Sequence, residues 1–185
     1  MLTLQQAGTA EQTINKSRFL AWVASCNSEQ QVGSFLRAIA VQHQSASHLA
    51  YAFRIKNADG IIPRFSDAGE PSGTAGKPIL QMLESRDLIN VAVGVIRYYG
   101  GVNLGTGGLA RAYSGTAKMA LEASRIVDFV EIQEVDLKVQ YKQLDELTRL
   151  VTQLKGNILD KTFGDEVRVK INMPVPALAA LERFT

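Results

Sequence analysis

The segment GGVNLGTGG, residues 100–108, sits between an apolar run and a helical pattern. Gly100, Gly101, Gly105, Gly107 and Gly108 allow backbone amides to approach an anion, with the Thr106 hydroxyl beside them. A helix starting here adds unpaired N–H donors and a favourable dipole. This is generic phosphate or polyanion chemistry. No Gly-Lys-Ser/Thr closes the segment as in a P-loop, and the third glycine of a Rossmann fingerprint is missing. Lys77, Arg97 and Arg111 stand beside the glycine segments. Arg97 interrupts an otherwise apolar strand pattern, so it needs a planar partner, either a phosphate or the carboxylate of Asp67 or Glu70. Arg111 and Lys118 are seven residues apart on the outer face of one helix. That face suits a polyanion backbone, or simply water.

Classical enzymatic constellations are scarce. His43 and His48 are the only histidines, and neither H-E-x-x-H nor C-x-x-C occurs, so no metal or other cofactor is expected. Cys26 with His48 would make a nucleophile and base, although a lone cysteine more often packs in a core. Asp67 and Glu70 could form an acid/base pair beside Ser66, Ser72 and Thr74, yet polar residues in such loops usually make turns. This paucity favours binding over catalysis.

The elements that must hold these residues follow from periodicity. Residues 13–25 read as a strand, and Asn27 or Ser28 caps a helix over 29–41 with Val32, Phe35, Leu36 and Ile39 on one face. His48–Ile55 alternates, placing Leu49, Tyr51, Phe53 and Ile55 on one side. Asn57-Ala58-Asp59-Gly60 is a turn, residues 64–78 a loop, and Lys77-Pro78 the start of a short helix. Asn90–Tyr99 is apolar on both faces, as in a central strand. A helix over 109–124 turns Leu109, Ala112, Tyr113, Thr116 and Ala120 inward. The pattern restarts after Val127. Val135–Tyr141 is a strand, Leu144, Leu147, Val151 and Leu154 form a helix face ended at Gly156, and a hairpin turns at Gly164-Asp165. Pro176 opens a last helical piece. This β-α-β-β-α order is a ferredoxin-like split βαβ unit without its closing strand. The fold class is therefore α+β in two domains, residues 1–126 and 127–185.

Composition bounds the rest. The 185 residues carry 20 Lys+Arg against 18 Asp+Glu, with 46% hydrophobic residues, as in ordinary globular proteins. One cysteine excludes an internal disulfide. No run approaches the ~20 apolar residues of a membrane helix, and MLTLQQAGTAEQT lacks the basic-then-apolar order of a signal peptide, so a cytoplasmic protein is expected. Residues 1–126 hold 12 Lys+Arg and 8 Asp+Glu, whereas residues 127–185 hold 8 and 10, so attraction to phosphate belongs to the first part. Eleven of the 15 glycines lie between Gly60 and Gly115, which marks loops of unusual backbone angle or close approach.

RFSDAGEPSGTAGKPIL, from Arg64, and VIRYYGGVNLGTGGLARAYSGTAKMAL, from Val95, resemble the signature segments of the IMPACT family, in its bacterial form. SRF at 17–19 and ASHLAYAFRI at 46–55 also fit, so the resemblance spans essentially the whole chain. It implies an N-terminal domain folded like the second domain of a small-subunit ribosomal protein. It also implies a C-terminal ferredoxin-like domain similar to those of elongation factor G. Eukaryotic members regulate translation, using an additional N-terminal domain for which this chain shows no counterpart. The chain departs from the family in two places: Ala68 replaces a common second aspartate, and Leu49-Ala50 replaces a polar-Cys pair after His48.

Three readings result. The first is an RNA- or ribosome-binding factor in translation or its regulation, using Lys77, Arg97, Arg111, Lys118 and the 100–108 amides, with Asp67, Glu70 and His48 in support. The second is a phosphate-ligand enzyme using the same loop. The third is a protein–protein regulator whose partner covers the open edge of the C-terminal domain.

Overall fold

The computed structural model describes residues 1–184, which form two compact units, Met1–Phe129 and Val130 onward. The fold is α+β.

The first unit contains β1 (Leu2–Gln6), β2 (Gly8–Ile14), β3 (Ser17–Ser25), α1 (Glu29–Gln42), β4 (His48–Asn57), β5 (Gly60–Ser66), α2 (Gly76–Ser85), β6 (Val91–Tyr98), α3 (Gly105–Glu122) and β7 (Arg125–Asp128). Its five-stranded sheet runs in the order β2-β3-β6-β4-β5, antiparallel throughout. β6 is central, which is why both of its faces are apolar. Val91, Val93 and Val95 pack with Phe19, Ala50, Ala52 and the inward faces of α2 and α3. On the other face, Ala92 and Ile96 pack with residues of α1. Gly94 lets α1 come close, since an added methyl would lie 3.0 Å from Ile39 Cδ1.

Several elements extend the sequence reading. The strand expected over 13–25 is the end of β2, a tight turn and β3. Asn15 and Lys16 take the turn, with φ of 45° and 67°. β5 runs into the expected loop as an edge strand, the position in a sheet where a proline such as Pro63 is tolerated. β7 pairs with β1, so the first unit ends at Phe129 rather than at 126. Ser28 caps α1, its Oγ accepting from the Gln31 amide at 3.2 Å. α3 starts at Gly105, four residues before the expected start, so Gly105, Thr106, Gly107 and Gly108 form its first turn.

The second unit contains β8 (Ile132–Val139), α4 (Leu144–Gln153), β9 (Asn157–Phe163), β10 (Val167–Pro174) and a final 3₁₀ segment, Val175–Phe184. Its sheet order is β8-β10-β9. This is the ferredoxin-like arrangement with the outer edge of β8 bare among the described residues. Val167, Val169, Ile171 and Met173 are fully buried against Leu147, Val151, Leu181 and Phe184. Lys155, not Gly156, takes the left-handed angle after α4, with φ of 60°. Gly156 is glycine for space, because an added methyl would overlap Met173 and lie 2.7 Å from the Asn172 carbonyl oxygen.

Candidate functional site

The loop from Asp67 to Ala75 folds back on itself and sends its two carboxylates in different directions. Asp67 turns to the start of α2. Its Oδ2 accepts from the Gly73 amide at 2.8 Å, and Oδ1 accepts from Ala75 at 3.0 Å, Gly76 at 2.9 Å and Lys77 at 3.4 Å. These satisfy donors a helix start leaves open, a task no side chain at the Ala75 cap position performs. Burial would raise the Asp67 pKa, but the four amides outweigh it and hold the carboxyl below the usual range. Ala68 follows with φ of 51°, a left-handed angle that an aspartate tolerates better than alanine.

Replacing Asp67 with alanine is expected to cost about 1–2 kcal/mol, the upper range for a capping residue. The sign with pH follows from the lowered folded-state value. The contribution is fully present above the unfolded pKa of ~3.9 and is lost as pH falls through the folded one. Urea denaturation should therefore separate wild type from Asp67→Ala at pH 7, with the gap narrowing as pH falls below about 4. A gap that stays constant with pH would remove the charge from the explanation.

Glu70 goes inward instead. It is 9% exposed, and its Oε1 accepts from Arg97 Nη1 at 2.8 Å and the Tyr113 hydroxyl at 2.7 Å. Arg97, 5% exposed, also donates from Nε and Nη2 to Ser17 Oγ at 3.3 and 3.2 Å. Its guanidinium lies 5.8 Å from the Phe19 ring centre and 5.1 Å from that of Tyr99. His48 Nδ1–H donates to the Ala68 carbonyl at 2.7 Å, which leaves Nε2 3.7 Å from Glu70 Oε1. Burial, then the bond to Glu70, pushes the Tyr113 hydroxyl far above the ordinary tyrosine range, so it stays a donor. Asp67 and Glu70 are thus not an acid/base pair. One carboxylate caps a helix, and the other neutralises a buried arginine.

Arg97 is accordingly held in a buried ion pair rather than exposed as a phosphate contact. Of its two expected carboxylate partners, Glu70 is the one used. Periodicity did not reveal Ser17 or the Tyr113 hydroxyl. The signal was a tyrosine on an otherwise small and apolar helix face, where a buried hydroxyl must find a partner. Cys26 packs among Val32, Phe53, Ile55 and Ala92, on the opposite sheet face from His48, and burial raises its thiol pKa. The two do not form a nucleophile and base. Among the described residues, no group of three or more His, Cys, Asp or Glu is placed to hold a metal.

The glycine segment divides between structure and surface. Gly100 packs on the Lys16 backbone, and its amide donates to Ser17 Oγ at 3.3 Å. Gly101 and Gly105 take φ of 84° and 72° with open space around them, and Gly107 and Thr106 are exposed. A cleft of about 360 Å³ lies between this helix start and the Glu70–Arg97 pair, walled by Pro71, Leu104 and Leu109.

Two more clefts flank α3. One of about 490 Å³ lies between α2 and α3, lined by Gln81, Ser85, Arg86, Ser114 and Lys118. The other, of about 390 Å³, lies between α3 and β2, lined by Gln12, Asn15, Gly108 and Arg111. No carboxylate lines either. Lys118 has only a 3.9 Å surface pair with Glu122, one helical turn on. Lys77, Arg111 and Lys118 are exposed. Arg86 joins this basic surface without having been singled out by the sequence. No helix among the described residues is long and apolar enough to cross a membrane.

The Impact N-terminal domain family matches residues 15–121, and a domain of unknown function matches residues 137–184. IMPACT family member YigZ of Escherichia coli is 33% identical over 172 residues, covering 92% of this chain and 84% of that protein. Protein IMPACT homolog of Saccharomyces cerevisiae is 33% identical over 92 residues, covering 48% of this chain and 35% of that protein. A crystal structure of a hypothetical protein is similar with a TM-score of 0.73 and 31% identity, over 98% of this chain and 89% of the other.

Proposed function

Because the chain belongs to the IMPACT family, we propose that it acts in translation or its regulation as a ribosome- or RNA-binding factor. The observation that carries this reading is the pair of carboxylate-free clefts on either side of α3, with Arg86 and Lys118 in one and Arg111 in the other. A phosphate backbone is attracted to exposed cations that have no strong internal partner. The Lys118–Glu122 pair is exposed and worth little, about 0.3–0.5 kcal/mol, so a phosphate can displace it. Regulation of translation by eukaryotic members of the family supports the cellular setting.

Co-sedimentation with ribosomes across a salt series tests this. Wild type should pellet at low salt and be released as salt rises. A triple variant, Arg86→Ala, Arg111→Ala and Lys118→Ala, should keep its melting temperature within about 2 °C, since Arg111 and Lys118 are exposed and Arg86 is only half-buried. It should pellet at least tenfold more weakly, with a salt slope smaller by about 2 to 3. No pelleting of wild type at low salt would sink the reading. The bare edge of β8 supports a second reading, a protein partner that adds a strand there. It predicts association that neither salt nor the triple variant weakens.

A further inference from the structure

We propose that the 360 Å³ cleft beside Glu70 and Arg97 is a binding site for the lactam edge of a nucleobase, an N–H beside a C=O, and not for phosphate. The argument starts from unused valences. Every hydrogen bond to the Glu70 carboxylate falls on Oε1. Oε2 takes none, yet Arg54 Nε is the one buried side-chain atom among the described residues that lacks a partner. Oε2 is therefore open, and the space that Glu70 borders is this cleft. Arg97 also borders it, and three of the five guanidinium N–H groups are spent, one on Glu70 and two on Ser17. The cleft thus offers a carboxylate acceptor beside arginine donors, both on side chains more than nine-tenths buried.

The sign of the charge selects the ligand. The Arg97–Glu70 pair is already neutral, so a phosphate seated against Arg97 would add a second anion beside the Glu70 carboxylate, where like charges repel. A neutral group that donates to Oε2 and accepts from Arg97 meets both demands. A carbonyl oxygen has two lone pairs for the two spare N–H groups, whereas the ring nitrogen of an adenine or cytosine edge has one. The lactam edge of uracil or guanine fits better for that reason. Pro71, Leu104 and Leu109 supply apolar walls for a flat ring, and the volume lies within the ~300–1,000 Å³ usual for small-molecule sites. The site shares no lining residue with the cleft holding Arg86 and Lys118 and only Leu104 with the cleft holding Arg111, and none of those three cations lines it, so it stands whether or not the ribosome reading does.

The lactam could belong to a free nucleoside or to an unpaired base in RNA, and the test separates them. Uridine, 3-methyluridine, adenosine, inorganic phosphate and a single-stranded oligouridine are titrated into the 185-residue chain, with binding followed at the amide resonances of Thr106 and Leu109. Uridine should bind at least tenfold more tightly than 3-methyluridine, which lacks the N–H, and than adenosine. Response to the oligonucleotide alone, with the same sensitivity to methylation, assigns the RNA source. Thr106→Phe, at an exposed position on the rim, should melt with wild type and lose binding at least tenfold. Equal binding of the methylated base, competition by phosphate, or no response to any base overturns the proposal.

Discussion

Replacing Arg97 with methionine should cost about 3–5 kcal/mol, the largest loss expected of any single charge removal in this chain. Its side chain and that of Glu70 are 6% and 4% exposed. Methionine keeps most of the volume but leaves the Glu70 carboxylate buried without its cation, together with an unpaired Ser17 hydroxyl. The same charge change at the surface would cost less than about 1 kcal/mol. Trp22, the single tryptophan, lies in β3 and reports unfolding of the first unit by fluorescence. Adding Glu70→Gln to Arg97→Met should recover part of the loss, because a neutral amide still accepts from Tyr113 and needs no counterion. A single-variant loss under about 1 kcal/mol, or a double variant no more stable than the sum of the two single losses predicts, would show that the pair is not coupled as described.

That pair also shows how far the residues could be read in order. An arginine in an apolar strand demands a partner, and that demand was legible from NVAVGVIRYY alone. Its choice of Glu70 over Asp67 was not, because it depends on the chain reversing at Ala68 and Gly69, with φ of 51° and 84°. Such angles are unremarkable in the letters of a loop. The long periodic elements were legible throughout: α1, β4, β6, α4 and the β9–β10 hairpin lie where the spacing of apolar residues puts them. The missed strands, β1, β2, β5 and β7, lie at sheet edges or in a two-stranded pair. One-sided or short burial leaves a weak pattern in them, and in β5 a proline masks it further. The basic surface was half legible. Arg111 and Lys118 share a helix, so their spacing is meaningful, whereas Arg86 joins them through packing of α2 against α3.

Gly100→Ala and Gly107→Ala should shift stability in opposite directions, although both glycines belong to one run. A methyl at Gly100 would overlap the Lys16 carbonyl and lie 2.6 Å from Lys16 Cβ. The obstacle is the backbone of the turn between β2 and β3, held by the pairing of Ile14 with Ser17 and by the Gly100 amide on Ser17 Oγ. Backbone so held cannot move aside as a side chain can, so the expected cost is about 3 kcal/mol, at the upper end for overpacking. At Gly107 an added methyl would meet only the far end of Arg111, with Nη1 3.2 Å away, and that flexible side chain can swing into solvent. There the helix propensity of alanine prevails, and Gly107→Ala should gain up to about 1 kcal/mol. Urea midpoints followed at Trp22 measure both. The outcome separates two explanations of the glycine cluster. If its glycines exist only for packing, Gly107 has no reason to be glycine, and its alanine variant should be stabilised and bind ribosomes as wild type does. If close backbone approach to a ligand keeps Gly107 small, the same variant should be more stable yet pellet more weakly. A destabilised Gly107→Ala would refute both, since it would require an obstacle at that position that the packing around Arg111 does not contain.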